Sequence, residues 1–151
     1  MSLEDYDPLA SVRVRRDDLY DATLALERAV SAPARGRATT WAGAVRDRLG
    51  QLDTALRAHV DGTEEDGGLF DQILEREPRL AHGIDGLRAE HRDQLEAVGE
   101  ADALLAGTED ETGVDDVRAR LHDLIHGLLV HRSRGAELVY DAYNVDLSAG
   151  D

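Results

Sequence analysis

The sequence predicts an all-α fold, an antiparallel up-down-up-down four-helix bundle with a short extra helix after the second. Three observations carry this expectation. Apolar residues recur at alternating spacings of three and four over long stretches, the mark of an amphipathic helix. No segment shows sustained period-two alternation, so strands are not expected. The prolines, Pro8, Pro33 and Pro78, all fall at the edges of the periodic stretches, where a helix tolerates them.

The first helix is expected from about Leu9 to Val30, on the seam Leu9, Val12, Arg16, Leu19, Thr23, Leu26, Val30. Arg16 and Thr23 are polar intruders in that seam. The stretch Ser31-Ala32-Pro33-Ala34-Arg35-Gly36 closes it as a loop. A second helix starts near Thr39-Thr40, read as a cap, with the seam Trp41, Val45, Leu49, Leu52, Leu56, His59. Asp61-Gly62 and Gly67-Gly68 then interrupt the pattern, and a short helix follows from Leu69 to about Leu74. Pro78 suits the first turn of the third long helix, whose seam is Leu80, Ile84, Leu87, His91, Leu95, Val98, Ala101, Leu105. The loop Gly107 to Gly113 leads to the fourth, on Val117, Leu121, Leu124, Leu128, His131, Gly135, Leu138, Ala142. The tail after Asn144 reads as a short cover or a frayed end. Helices of this length, about 30 Å each, joined by short loops, pack most simply as an up-down-up-down bundle. One domain over residues 1–151 is expected, large enough to bury a core of its own.

Composition narrows the function. Cysteine is absent, which removes disulfides, thiolate metal sites and cysteine nucleophiles together. The 32 acidic residues outweigh 17 basic ones, all arginine, for a formal charge of −15. A field of that sign repels phosphate backbones, so nucleic acid is not an expected partner. The acidic start and the lack of a long apolar run point to a cytoplasmic protein without a membrane span. No glycine-rich phosphate loop, nucleophile elbow or zinc-protease His-Glu-x2-His run is present.

Helical phase sorts the six histidines. His59, His91 and His131 each stand where a seam calls for an apolar residue, on three different helices. His82 and His122 lie nine residues before His91 and His131, on the opposite faces of their helices, and His126 is about 140° off its seam. Buried imidazoles without partners cost about 1–3 kcal/mol each. A divalent cation shared by all three satisfies them at once, and neutral imidazole suits iron, zinc and copper. Glu64 and Glu65 follow His59 closely. In an unbroken helix Glu64 lies about 140° from His59, and a bend at the glycine brings it back as a further ligand.

The order His59…Glu64-Glu65…Leu69-Phe70, then Glu90-His91, then His131 before Leu138-Val139-Tyr140 resembles the hemerythrin-like (HHE cation-binding) family from about Arg16 to Asp146. The stretch from His131 to Asp146 is similar to that of an actinobacterial branch of it. The resemblance implies a four-helix bundle and a non-haem iron centre that binds oxygen or senses oxygen, iron or nitric oxide. It also implies His59, Glu64, His91 and His131 as metal residues. Three positions depart from the family's pattern. Arg16 stands where the first helix normally supplies a histidine, His59-x4-Glu64 replaces His-x3-Glu, and Gly135 and Ala136 fill the places of the last carboxylate. Arg16 then puts a fixed positive charge where a second iron would sit, which points to a mononuclear site, another bound species or a lapsed site.

The leading expectation is thus an iron-binding module, a binder or sensor rather than a catalyst, with the metal (mono- or dinuclear, or another divalent ion) and a small diatomic ligand as partners. A homodimer is compatible with it. One rival is a degenerate bundle serving as a protein-interaction scaffold. The other is a DinB-like metal-dependent thiol transferase, whose layout His59 with His122 and His126 imitates.

Overall fold

The computed structural model of the chain describes residues 9–147, and these form helices and connecting turns with no strand among them. Helix α1 is Ala10–Ser31, α2 Ala38–Glu64, α3 the short Leu69–Arg76, α4 Ala81–Ala106 and α5 Glu111–Tyr143. The four long helices pack as a ring in which α1 touches α2, α2 touches α4, α4 touches α5 and α5 returns to α1. This is the bundle the seams predict. No described helix is long and apolar enough to cross a membrane.

The helix ends are held by specific groups. At the end of α1 the Val30 carbonyl accepts from both Trp41 Nε1 (3.3 Å) and Arg118 Nε (2.9 Å), which ties the α1–α2 turn to α5. Gly36, at φ 73°, turns the chain in a region that only glycine enters without strain. Helix α2 begins before the expected Thr39-Thr40 cap: both threonines lie in its first turn, after Arg37, and no side chain caps it. Asp110 caps α5, its Oδ1 accepting from the Gly113 backbone at 2.9 Å, so the expected 107–113 loop is shorter and helix resumes at Glu111. Asn144, at φ 56°, ends α5 with its N–H donating to the Tyr140 carbonyl. Beyond it Leu147 is buried, as a cover, and residues 148–151 lie outside the described residues.

The largest correction concerns Asp61-Gly62, which does not interrupt α2. The helix runs on to Glu64, and the break comes at Gly67, at φ 74°, and Gly68. Two local features explain it. Thr63 Oγ1 donates back to the His59 and Val60 carbonyls, holding the last turn closed. Gly62 has no side chain where the Arg15 guanidinium crosses from α1, so the glycine serves a close approach rather than a bend.

The core has two apolar parts. One, with Leu26, Val45, Leu52, Leu56, Leu121 and Leu128, fills one end between the four long helices. The other, with Phe70, Ile73, Ile84, Leu87, Leu138 and Val139, lies at the opposite end, under α3. Arg76 Nε donates to the Ala142 carbonyl at 2.8 Å and pins α3 to the end of α5. Along α4 the order is Leu87, His91, Val98, and along α5 it is Leu128, His131, Leu138. The histidines therefore form a polar layer between two apolar halves.

Candidate metal centre

Three helices each deliver one imidazole to this layer: α2 His59, α4 His91 and α5 His131. One ring nitrogen from each lies within 4.8 Å of the others. His91 is fully buried, His131 is 4% exposed and His59 is partly exposed. His59 meets both other rings edge-on, at interplanar angles of 87° and 83°, so the three rings are arrayed about a common point rather than stacked. Phe70 of α3 stacks on the outer face of His91, at 11° between planes. The phase sorting holds throughout, since His82, His122 and His126 are exposed and take no part. The His59/His122/His126 set that imitates the thiol-transferase layout is not assembled.

Carboxylates reach the cluster from behind. Glu64 Oε2 accepts from His91 Nδ1 at 3.1 Å, and Glu90 Oε1 lies 3.4 Å from His131 Nδ1. Each carboxylate is held in turn by an arginine, Arg88 to Glu64 at 3.4 Å and Arg134 to Glu90 at 3.1 Å. The helix that continues past Gly62 thus keeps Glu64 off the His59 face. Its side chain extends to α4, where it meets the ring nitrogen that points away from the other histidines. Glu65 is exposed. Glu90 is the residue that phase reasoning passes over: it sits one position, about 100°, from the His91 seam. Only the packing of α4 against α5 turns it toward His131, and its one sequence signal is its place beside His91.

Glu64 determines the His91 tautomer. An ionised carboxylate only accepts, so His91 Nδ1 carries its proton and His91 Nε2 presents a lone pair. His91 Nε2 and His131 Nε2 then face each other at 3.0 Å. That is a hydrogen-bond distance, at which His131 Nε2 donates to the His91 Nε2 lone pair in the metal-free chain; a metal ion bound by both nitrogens would replace that proton. An additional proton on the cluster is disfavoured, because burial lowers the pKa of all three rings: His59 from 6.5 to about 3, helped by His91 and His131, and His131 to about 4 against the pull of Glu90. His91 is lowered by burial too, with Glu64 pulling the other way. The His131 Nδ1 atom is buried and lacks a hydrogen bond of good geometry. Two nitrogens bound to one metal at about 2.1 Å can be at most about 4 Å apart. The His91–His131 pair meets that bound, and His59, within 4.8 Å of both, adds a third nitrogen donor of the kind a divalent transition metal takes.

Beside the histidines lies a cavity of about 50 Å³, bordered by His59 and His131 on one side and by Arg16, Leu19, Phe70 and Gly135 elsewhere. Arg16 is buried, and its Nη2 donates to the Arg132 carbonyl at 3.4 Å. Arg132 returns a bond from Nη1 to the Arg16 carbonyl at 3.0 Å and lies over the Tyr20 ring. The expected site residues Arg16, His59, Glu64, His91 and His131 are therefore all brought to one region, Arg16 on the cavity side and Glu64 behind His91.

The family described as Hemerythrin HHE cation binding domain matches residues 17–143. No curated protein and no solved structure matches the chain.

Proposed function

The chain belongs to the hemerythrin HHE cation-binding family, and from that premise we propose that it binds a single non-haem iron through His59, His91 and His131. The observation that carries this reading is the convergence of one ring nitrogen from each of three helices, His59, His91 and His131, within 4.8 Å of one another in a buried layer. Glu64 and Glu90 act as positioning residues: they set the tautomer and aim of their rings and raise the basicity of the nitrogens that face the metal. The earlier expectation of Glu64 as a direct ligand gives way here to that supporting role. Iron held by three neutral imidazoles supplies reversible coordination of a small ligand such as dioxygen or nitric oxide, in a binder or sensor rather than a catalyst. Apolar halves lie above and below the imidazoles, and His59 is the most exposed of the three.

The test is anaerobic titration of metal-free protein with Fe(II), scored by bound metal per chain. One iron per chain is expected in wild type and none in His91→Ala or His131→Ala. Two irons per chain, or uptake that His91→Ala leaves intact, would overturn the reading.

A further inference from the structure

The short helix α3 carries an inference of its own. It is flanked by Gly67 and Gly68 on one side and by the non-helical Glu77 and Pro78 on the other. An isolated helix of this length is not stable in water, so α3 owes its form to the bundle beneath it. Its inner face, Leu69, Phe70 and Ile73, is buried, and its outer face, Asp71, Gln72, Glu75 and Arg76, is exposed. Among the described residues, a single hydrogen bond joins α3 to a long helix, from Arg76 Nε to the Ala142 carbonyl at 2.8 Å. The same guanidinium lies over the Tyr143 ring, 5.1 Å from its centre.

This helix covers the candidate site. Phe70 stacks on His91 with ring centroids 5.8 Å apart, and Leu69, Phe70 and Ile73 wall the cavity that His59 and His131 border. His91 is fully buried, so a solute reaches it only when some part of the bundle moves aside. Elements held by few buried side chains and few hydrogen bonds open most readily. Each long helix buries at least five side chains along its seam, against three in α3.

We propose that α3 is a lid over the imidazole layer, hinged at Gly67–Gly68 and at Pro78 and latched by Arg76 on the end of α5. Its opening lifts Phe70 off His91 and withdraws Ile73 from the cavity, which admits a small solute to the histidines. The lid is a property of the metal-free chain; that iron is the solute it admits rests on the preceding reading.

The experiment exploits the absence of cysteine in the chain. One thiol is introduced at a time into metal-free protein: Ile73→Cys on the inner face of α3, Leu128→Cys on the α5 wall of the cavity, and Leu52→Cys in the far apolar half. Labelling by excess dithiobis-nitrobenzoate under native conditions reports how often each site is uncovered. Ile73→Cys and Leu128→Cys should react at least about tenfold faster than Leu52→Cys, and with a weaker urea dependence, because only the last needs global unfolding. Adding Arg76→Ala should speed the first two alike, by about tenfold, the worth of one hydrogen bond. Ile73→Cys reacting no faster than Leu52→Cys would overturn the lid. So would a Leu128→Cys rate that Arg76→Ala leaves unchanged, since the cavity would then open by another route. If a cysteine variant does not fold, hydrogen exchange of the wild-type chain decides: amides of 69–76 should exchange well before those of 115–130, and equal protection counts against the proposal. A chain that labels as expected but takes up no iron supports the lid and sinks the iron reading. Iron uptake without the labelling pattern does the reverse.

Discussion

Two imidazole nitrogens held 3.0 Å apart, with a carboxylate behind each ring, are the residue-level basis of the site. Neutralising those carboxylates tests it without touching a ligand atom. Glu64→Gln and Glu90→Gln should each lower Fe(II) affinity by about 10–100-fold, with the melting temperature of the metal-free protein little changed. Calorimetric titration of the two variants beside wild type checks this. The lowered imidazole pKa values make a second prediction. In the folded, metal-free protein His59 and His131 stay neutral down to about 3 and 4, whereas the unfolded chain protonates them near 6.5. Between those values the unfolded state binds more protons, so stability is complete above about pH 6.5 and falls as pH drops toward 4. Each histidine contributes a slope of about 1.4 kcal/mol per pH unit within that window. Urea unfolding at pH 7.5, 6 and 5 should show it, and His59→Ala should flatten the profile.

At the scale of elements, the site depends on where helices do not break. An α2 that ended at Gly62 would leave Glu64 in a loop; the continuous helix instead fixes it over α4. Helix periodicity was enough to read the inward phase of His59, His91 and His131, because phase is a local property of one helix. The role of Glu64 was not legible that way. Whether a glycine bends a helix depends on what occupies the space beside it, and the Arg15 side chain that does so comes from a helix more than forty residues away in the chain. Glu90 escaped for a related reason, since its target stands on a different helix. Helix ends make a separate prediction. Asp110→Ala removes the N-cap of α5, the helix that carries His131, and should cost about 1 kcal/mol of stability in chemical denaturation.

Across the whole molecule, a polar layer separates two apolar cores, and a metal bound in that layer would join α2, α4 and α5 in one contact. Any ligand that binds only the folded state stabilises it by mass action, about 2.7 kcal/mol at a free concentration 100 times Kd. For a chain of this size that corresponds to a melting temperature higher by roughly 5–10 °C. Fe(II) should produce this shift in wild type under anaerobic conditions, a chelator should reverse it, and His91→Ala should be blind to both. A scaffold without a working site would show no shift in any of the three.

The sequence alone determined the helical class, the seams, the split of the histidines into three inward and three outward, and the family to which the chain belongs. Each of these follows from local periodicity or from residue order, which a linear chain carries in full. Tertiary structure alone decided that the three imidazoles converge at one depth, that Glu64 and Glu90 stand behind the rings, and that Arg16 and Gly135 border one small, largely apolar cavity. Those are relations between helices. They depend on axial register and on side-chain reach across the bundle, and no spacing within a single helix encodes either.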